Sequence, residues 1–211
     1  MEKLFATLLL AAAATAGTTS PKDFVQASVT RVLTIVAEQP DAASRPEMTE
    51  RRRAEMRKVA TELFDFEEMA RRALSRHWTT RSRAEQAEFV ELFTDLLERT
   101  YVARIESYAG EKITYPNEIV DGEYATVRSR ITTRRRAETT LDYRLHLMDG
   151  KRWKVFDISV DGVSFVATYR SEFNRILQQS SYASLVDRMR KKRLEIDALA
   201  RKVDRPEPVR R

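Results

Sequence analysis

The run Thr139-Thr140-Leu141-Asp142-Tyr143-Arg144-Leu145-His146-Leu147-Met148, closed by Asp149-Gly150, decides the architecture. Leu141, Tyr143, Leu145 and Leu147 alternate with polar residues, the period of a strand with one buried and one wet face. Asp-Gly supplies the positive-φ pair that a tight hairpin needs, so the next run, Trp153 to Val160, returns antiparallel beside it. The same reading extends backward. Tyr124 to Thr133 is a strand, Asp121-Gly122 is a second hairpin signal, and Lys112 to Tyr115 and Glu118 to Val120 read as two shorter strands. These runs, joined by short turns, predict a sequential antiparallel meander.

On either side of that block the period is helical. Ser20-Pro21 opens a helix, with Pro in the first turn where its missing N–H does no harm. Phe24, Val25, Val29, Val32, Leu33 and Val36 form its apolar side and Pro40 stops it. Asp41 to Pro46 reads as a loop, followed by a charged helix with Met56, Val59, Ala60 and Leu63 on one face. Phe64-Asp65-Phe66 interrupts it, and Asp65 is placed to cap a third helix through Met69, Ala70, Ala73, Leu74 and Trp78. Ser82-Arg83-Ala84-Glu85 matches the capping box, in which Ser and Glu satisfy each other's backbone donors. Phe89, Leu92, Phe93, Leu96, Leu97, Tyr101, Ile105 and Tyr108 follow as a broad apolar stripe. After Gly162 helical spacing returns at Val166, Tyr169, Phe173, Ile176 and Leu177, then Tyr182, Leu185 and Met189. Helices, meander, helices is an α+β pattern: helices packed on a twisted antiparallel sheet of four to five strands.

The 211 residues suit one domain with appendages. With 42% hydrophobic and 33% charged residues the chain is neither disordered by composition nor a multi-spanning membrane protein. Its five glycines are scattered, so no glycine-rich loop cradles a phosphate and a Rossmann or P-loop enzyme is excluded. The absence of cysteine excludes disulfides, a thiol nucleophile and a thiolate zinc site. The formal charge of +6 invites a nucleic-acid reading, but residues 187–211 hold ten Lys/Arg against five acids and carry nearly all of it. Aromatics also fail to interleave with the basic residues as base-stacking platforms would.

Residues 1–16 read as a signal peptide: an apolar run of about 13 residues, short of the roughly 20 that span a bilayer, ending in the small-x-small Ala14-Thr15-Ala16. The expected organisation is therefore a signal peptide (1–16), an α+β domain (17–190) and a basic extension (191–211). No catalytic, metal or cofactor constellation emerges. His77 beside Trp78 and His146 on the polar side of its strand read as surface or capping histidines. Asp157 and Asp161 flank a strand end, where turn-capping or salt-bridging is the ordinary role. Arg134-Arg135-Arg136 reads as a solvated hairpin tip.

An ordered series of segments carries a resemblance. Phe64-Asp65-Phe66-Glu67-Glu68-Met69-Ala70-Arg71-Arg72-Ala73-Leu74, Arg76-His77-Trp78, Phe89-Val90-Glu91-Leu92-Phe93 and Leu97-Glu98-Arg99-Thr100-Tyr101 come first. Asp142-Tyr143-Arg144-Leu145, Trp153-Lys154-Val155-Phe156-Asp157-Ile158, Asp161-Gly162-Val163-Ser164 and Tyr169-Arg170-Ser171-Glu172-Phe173 follow. From about Pro21 to Met189 the chain resembles the MlaC family, also called the toluene-tolerance auxiliary component of an ABC transporter. Asp161 stands where Glu is more usual, and Lys191 to Arg211 extends past the family's usual end.

The resemblance implies a periplasmic carrier of phospholipids that works between the outer membrane and an inner-membrane ABC transporter to maintain lipid asymmetry. It implies an apolar cavity between sheet and helices, transient contact with membrane surfaces, an outer-membrane lipoprotein complex as second partner, and neither nucleic acid nor catalysis. The expected lipid-lining residues are Phe66, Met69, Leu74, Phe93, Leu97, Tyr101, Tyr143, Leu145, Val163, Phe165 and Tyr169. Two alternatives stand beside this reading. One is a small α+β enzyme with His146 and Asp157 converging in the cavity, and the other a basic nucleic-acid-binding protein.

Overall fold

The computed structural model describes residues 19–37, 46–106, 108, 110–133 and 136–191. The expected signal peptide, the Asp41–Pro46 loop as far as Arg45, Arg134-Arg135 and all of the basic extension beyond Lys191 lie outside them. The elements run α1 (Pro21–Ala37), α2 (Pro46–Leu63), α3 (Phe66–Leu74), a single 3₁₀ turn (Ser75–His77) and α4 (Arg83–Glu106). Then come β1 (Lys112–Asp121), β2 (Tyr124–Thr132), β3 (Glu138–Met148), β4 (Arg152–Val160), β5 (Val163–Ser164) and α5 (Phe165–Gln179). Residues 182–191 are again helical and are called α6.

The expected meander is present: one antiparallel sheet in the order β1-β2-β3-β4-β5. Leu141, Tyr143, Leu145 and Leu147 of β3 share one face with Ala125, Val127 and Ser129 of β2, to which β3 is paired in register. That face packs beneath Val25 of α1 and Leu63 of α2, with Trp153 and Val155 of β4 completing the cluster. The turn at Asp149-Gly150 takes positive φ at both residues (51° and 62°) and closes with the Lys151 N–H donating to the Met148 carbonyl at 3.0 Å. Only glycine adopts that region freely, and Asp tolerates it better than most residues.

Two expectations change. The separate strands Lys112–Tyr115 and Glu118–Val120 are one strand, β1, whose register against β2 shifts between Thr114 and Asn117. Pro116 has no N–H to give the ladder, and a bulge carries the strand past it. The third helix ends at Leu74 rather than reaching Trp78, because Ser75 turns to φ 52°, ψ −128° and the chain continues as a 3₁₀ turn.

β4 carries the other irregularity. Its register against β3 shifts between Arg144 and Leu145, so Phe156 is an extra residue. Trp153 and Val155 therefore point to the α1 side while Asp157, paired with Arg144, points to the opposite side. The second core lies among the remaining helices. Met69, Ala73 and Leu74 of α3, Phe89, Phe93 and Leu97 of α4, Phe173 and Ile176 of α5, and Leu185, Val186 and Met189 of α6 are all buried together. Phe64 packs against both cores. It also bridges Val155 in parallel, and the following Asp65 N–H donates to the Val155 carbonyl at 2.9 Å.

The caps follow the sequence. Asp65 Oδ1 accepts from the Glu68 N–H at 2.9 Å, and Ser82 and Glu85 exchange backbone-to-side-chain bonds at 2.8 and 3.3 Å. Ser75 is the strained joint. A residue with a Cβ at its φ costs about 1 kcal/mol or more, and Ser75→Gly is expected to stabilise the fold by about 1 kcal/mol. Thermal melting of the two proteins checks it, and a variant with lowered Tm contradicts the strain.

Candidate functional site

Nine of the eleven expected lining residues fall into one or other core or its margin. Met69, Leu74, Phe93 and Leu97 are buried in the helical core, with Phe66, Tyr101 and Tyr169 half-buried against it. Tyr143 and Leu145 are buried under α1 in the sheet core. Phe165 is half-buried at the start of α5, and Val163, the first residue of β5, is 62% exposed. The structure thus separates them into closed core and a smaller half-open set.

That half-open set is aromatic and follows α4. Tyr101 stacks on Phe165 with ring centroids 4.5 Å apart. Tyr169, one turn further along α5, packs edge-on against Phe93 at 5.2 Å and tilts against Phe173 at 5.6 Å. Beyond the end of α4, Tyr108 stands near Tyr115 of β1, which in turn neighbours Tyr143 of β3. Its hydroxyl donates to the Glu111 carbonyl at 2.6 Å. Tyr101 and Tyr169, with Phe165, thus edge the helical core and Tyr115 edges the sheet core, and these large, partly buried rings are together called the seam. Leu141 and Ile158 are likewise partly buried on the sheet side. Tyr115 and Ile158 are contributions that sequence reasoning did not single out. Tyr115 sits beside the proline that obscured β1, and Ile158 faces this side only because Phe156 resets the alternation.

The environment of the seam shows in its phenols. Burial pushes Tyr169 up to about 12. It raises Tyr115 and the buried Tyr143 as well, with the Ser129 hydroxyl beside the Tyr143 phenol opposing part of the effect. Away from the seam, burial also raises Tyr182 to about 12. Each of these phenols holds its proton more tightly in the folded chain than in the unfolded one, whose reference is 10. For Tyr169 and Tyr182 the contribution to stability is complete below pH 10 and lost as pH rises through about 12. Spectrophotometric titration is expected to leave Tyr115, Tyr169 and Tyr182, three of the seven tyrosines, largely protonated at pH 11. Ionisation of all seven near pH 10 contradicts the apolar seam.

The polar side chains named in the enzyme alternative have structural partners. His146 Nε2 lies 2.9 Å from Asp65 Oδ2, holding the carboxylate that caps α3, and its ring meets Phe156 edge-on. Asp157 is 2% exposed. It accepts from the Ser164 hydroxyl at 2.6 Å and the Val166 N–H at 3.1 Å, and its Oδ2 is 3.7 Å from Arg144. Ser164 caps α5 by accepting from the Ala167 N–H. Asp161 accepts from the Thr140 N–H at 2.8 Å, and His77 Nε2 sits 3.2 Å from Asn174 Oδ1. His146 and Asp157 thus serve different structural bonds. No group of three His, Cys, Asp or Glu suited to a metal ion occurs among the described residues.

Two clefts open elsewhere on the surface. One of about 380 Å³ is walled by Arg71, Arg72, Arg144 and Arg170 around Phe156, and one of about 270 Å³ by Ser75, Arg76, Arg170, Ser171 and Asn174. None of the eleven expected residues lines either. No described helix is long and apolar enough to cross a membrane.

Among solved structures, the fold matches the phospholipid-binding protein from Ralstonia solanacearum, determined at 1.53 Å in complex with a phospholipid. The TM-score is 0.74 at 21% identity, over 85% of this chain and 99% of that one. No curated protein matches. The model of the MlaC protein family matches residues 26–191, which include α3, α4, the whole sheet and α5. The ordered motifs, the helix-flanked meander and this match over most of the length agree, and the chain belongs to the MlaC family.

Proposed function

We propose that this protein is a periplasmic phospholipid carrier that passes lipids between the outer membrane and an inner-membrane ABC transporter. The observation that carries the reading is the aromatic seam between two separate cores, in a family whose fold elsewhere holds a phospholipid. A two-tailed lipid exposes on the order of 30 methylenes at about 0.8 kcal/mol each, so crossing water unescorted costs roughly 24 kcal/mol. A carrier must replace the bilayer's interior almost fully. The seam suits that role because its rings are already shielded from water yet not locked into the closed cores.

Acyl chains enter by parting the helical core from the sheet core along α4, with Tyr101, Phe165 and Tyr169 on one side and Tyr115, Leu141 and Ile158 on the other. Since membrane and carrier offer similar surroundings, net transfer lies near zero and direction comes from the partners. The test is transfer of fluorescent phosphatidylglycerol between vesicles by the mature protein and by a Tyr101→Asp, Phe165→Asp variant. Two carboxylates in the acyl path are expected to cut transfer at least about fivefold while the fold is retained by circular dichroism. Equal transfer by a folded variant removes the seam from the path.

A further inference from the structure

We propose that the arginine-lined trough between α3 and α5 docks an acidic peptide segment of a partner protein. The two clefts share Ser75 and Arg170 and so run together. Their walls bring Arg71, Arg72 and Arg76 from α3 and its 3₁₀ turn against Arg144 of β3 and Arg170 of α5. The lining contains one carboxylate, Asp157, which is 2% exposed and already bonded to Ser164 and Val166. Five guanidiniums therefore face solvent across a concave surface with no acid accessible among the lining residues.

The guanidiniums are positioned rather than loose. Arg71 and Arg72 both bind Glu68 at 2.6 Å, and Arg72 and Arg144 lie 4.1 and 5.3 Å from the centre of the Phe156 ring. Arg76 donates to Asn174 at 2.9 Å. Each guanidinium has five N–H donors in a fixed fork, so these contacts leave further donors for a ligand. Arg170, at the junction of the two clefts, makes no hydrogen bond or ion pair among the described residues.

Shape selects the occupant. A single phosphate would engage one end, and a flat membrane surface does not enter a trough. An extended acidic segment sets successive carboxylates against successive guanidiniums, each able to form a paired, charge-assisted contact. The site is independent of the lipid reading. Arg144 points to the face of β3 opposite Tyr143 and Leu145, so the trough and the sheet-side residues Tyr115, Leu141 and Ile158 lie on different sides of the sheet.

The experiment titrates fluorescein-labelled hexaglutamate with the full-length protein at low ionic strength, reading anisotropy. Hexaglutamine, inorganic phosphate and phosphatidylglycerol vesicles serve as parallel probes. Arg170→Glu alters the exposed arginine that has no partner among the described residues, and Lys58→Glu makes the same charge change on α2, away from the trough. Circular dichroism establishes that both fold, and Arg144→Gln provides a second lesion from a different wall. Hexaglutamate binding that weakens about tenfold or more in Arg170→Glu, weakens in Arg144→Gln and stays near wild type in Lys58→Glu supports the proposal. Equal loss in Arg170→Glu and Lys58→Glu overturns it as unspecific charge attraction. Preference for phosphate over hexaglutamate, or Arg170-dependent binding of vesicles without hexaglutamate binding, overturns it in favour of a small anion or a lipid surface. No hexaglutamate binding overturns it outright.

Discussion

Phe93→Ala is expected to cost about 3–5 kcal/mol of folding stability and to lower Tm by roughly 10 °C, with or without lipid present. Phe93 has no exposed surface, and its ring contacts Phe89 at 6.0 Å, Tyr169 at 5.2 Å and Phe173 at 5.8 Å. Such a ring leaves a cavity among neighbours that two helices already fix, so little collapse recovers the loss. The sequence reading counts Phe93 with the expected lipid-lining residues, and this variant separates that role from core packing. A destabilised protein whose surviving folded fraction still carries lipid marks Phe93 as core. A variant within a degree of wild type that no longer holds lipid makes Phe93 part of the cavity lining and redraws the boundary of the helical core.

Asp157→Ala is expected to destabilise the fold by about 3–5 kcal/mol, because it strips a buried carboxylate from a bonded set of donors and a nearby arginine. The Val166 N–H and the Ser164 hydroxyl lose their acceptor together, and Arg144 loses the carboxylate it faces. The consequence is local as well as energetic. Ser164 caps α5 while donating to Asp157, so the start of α5 is tied to β4 through this one side chain. Asp157→Asn keeps one acceptor and is expected to fall between wild type and alanine. Thermal or urea denaturation of the three proteins measures it. An alanine variant within about 1 kcal/mol of wild type contradicts the tether, since exposed polar changes fall in that range.

The sheet was legible because its signals are local. Alternation in Leu141 to Leu147 and the Asp149-Gly150 turn specify pairing without knowledge of the rest of the chain. The caps at Asp65 and Ser82 were legible for the same reason, each resting on a bond within four residues. What stayed hidden depends on register. Pro116 looks like a break, and only the ladder beside it reveals a bulge. Phe156 looks like one more alternating residue, and only pairing with β3 shows that it resets which face Asp157 and Ile158 occupy.

The site was legible at a coarser level. Large apolar residues along α4 signalled both core and lining, and nothing in their spacing distinguishes a ring packed on three sides, such as Phe93, from one stacked at an edge, such as Tyr101. Val163 shows the limit on the other side, since a valine beside a tight turn sits in solvent. The arginine trough lies beyond sequence reading altogether, because Arg72, Arg144 and Arg170 are far apart in the chain and converge only when α3 and α5 flank β4. Net charge pointed to the tail, and it gave no sign that arginines of the body gather in one trough.

The most direct test of the carrier reading is to purify the mature protein gently from a bacterial envelope and measure its bound lipid by native mass spectrometry and extraction. Phospholipid is expected in stoichiometric amount, released when the seam is altered by Tyr101→Asp with Phe165→Asp. Protein that is folded, gently handled and free of phospholipid contradicts it.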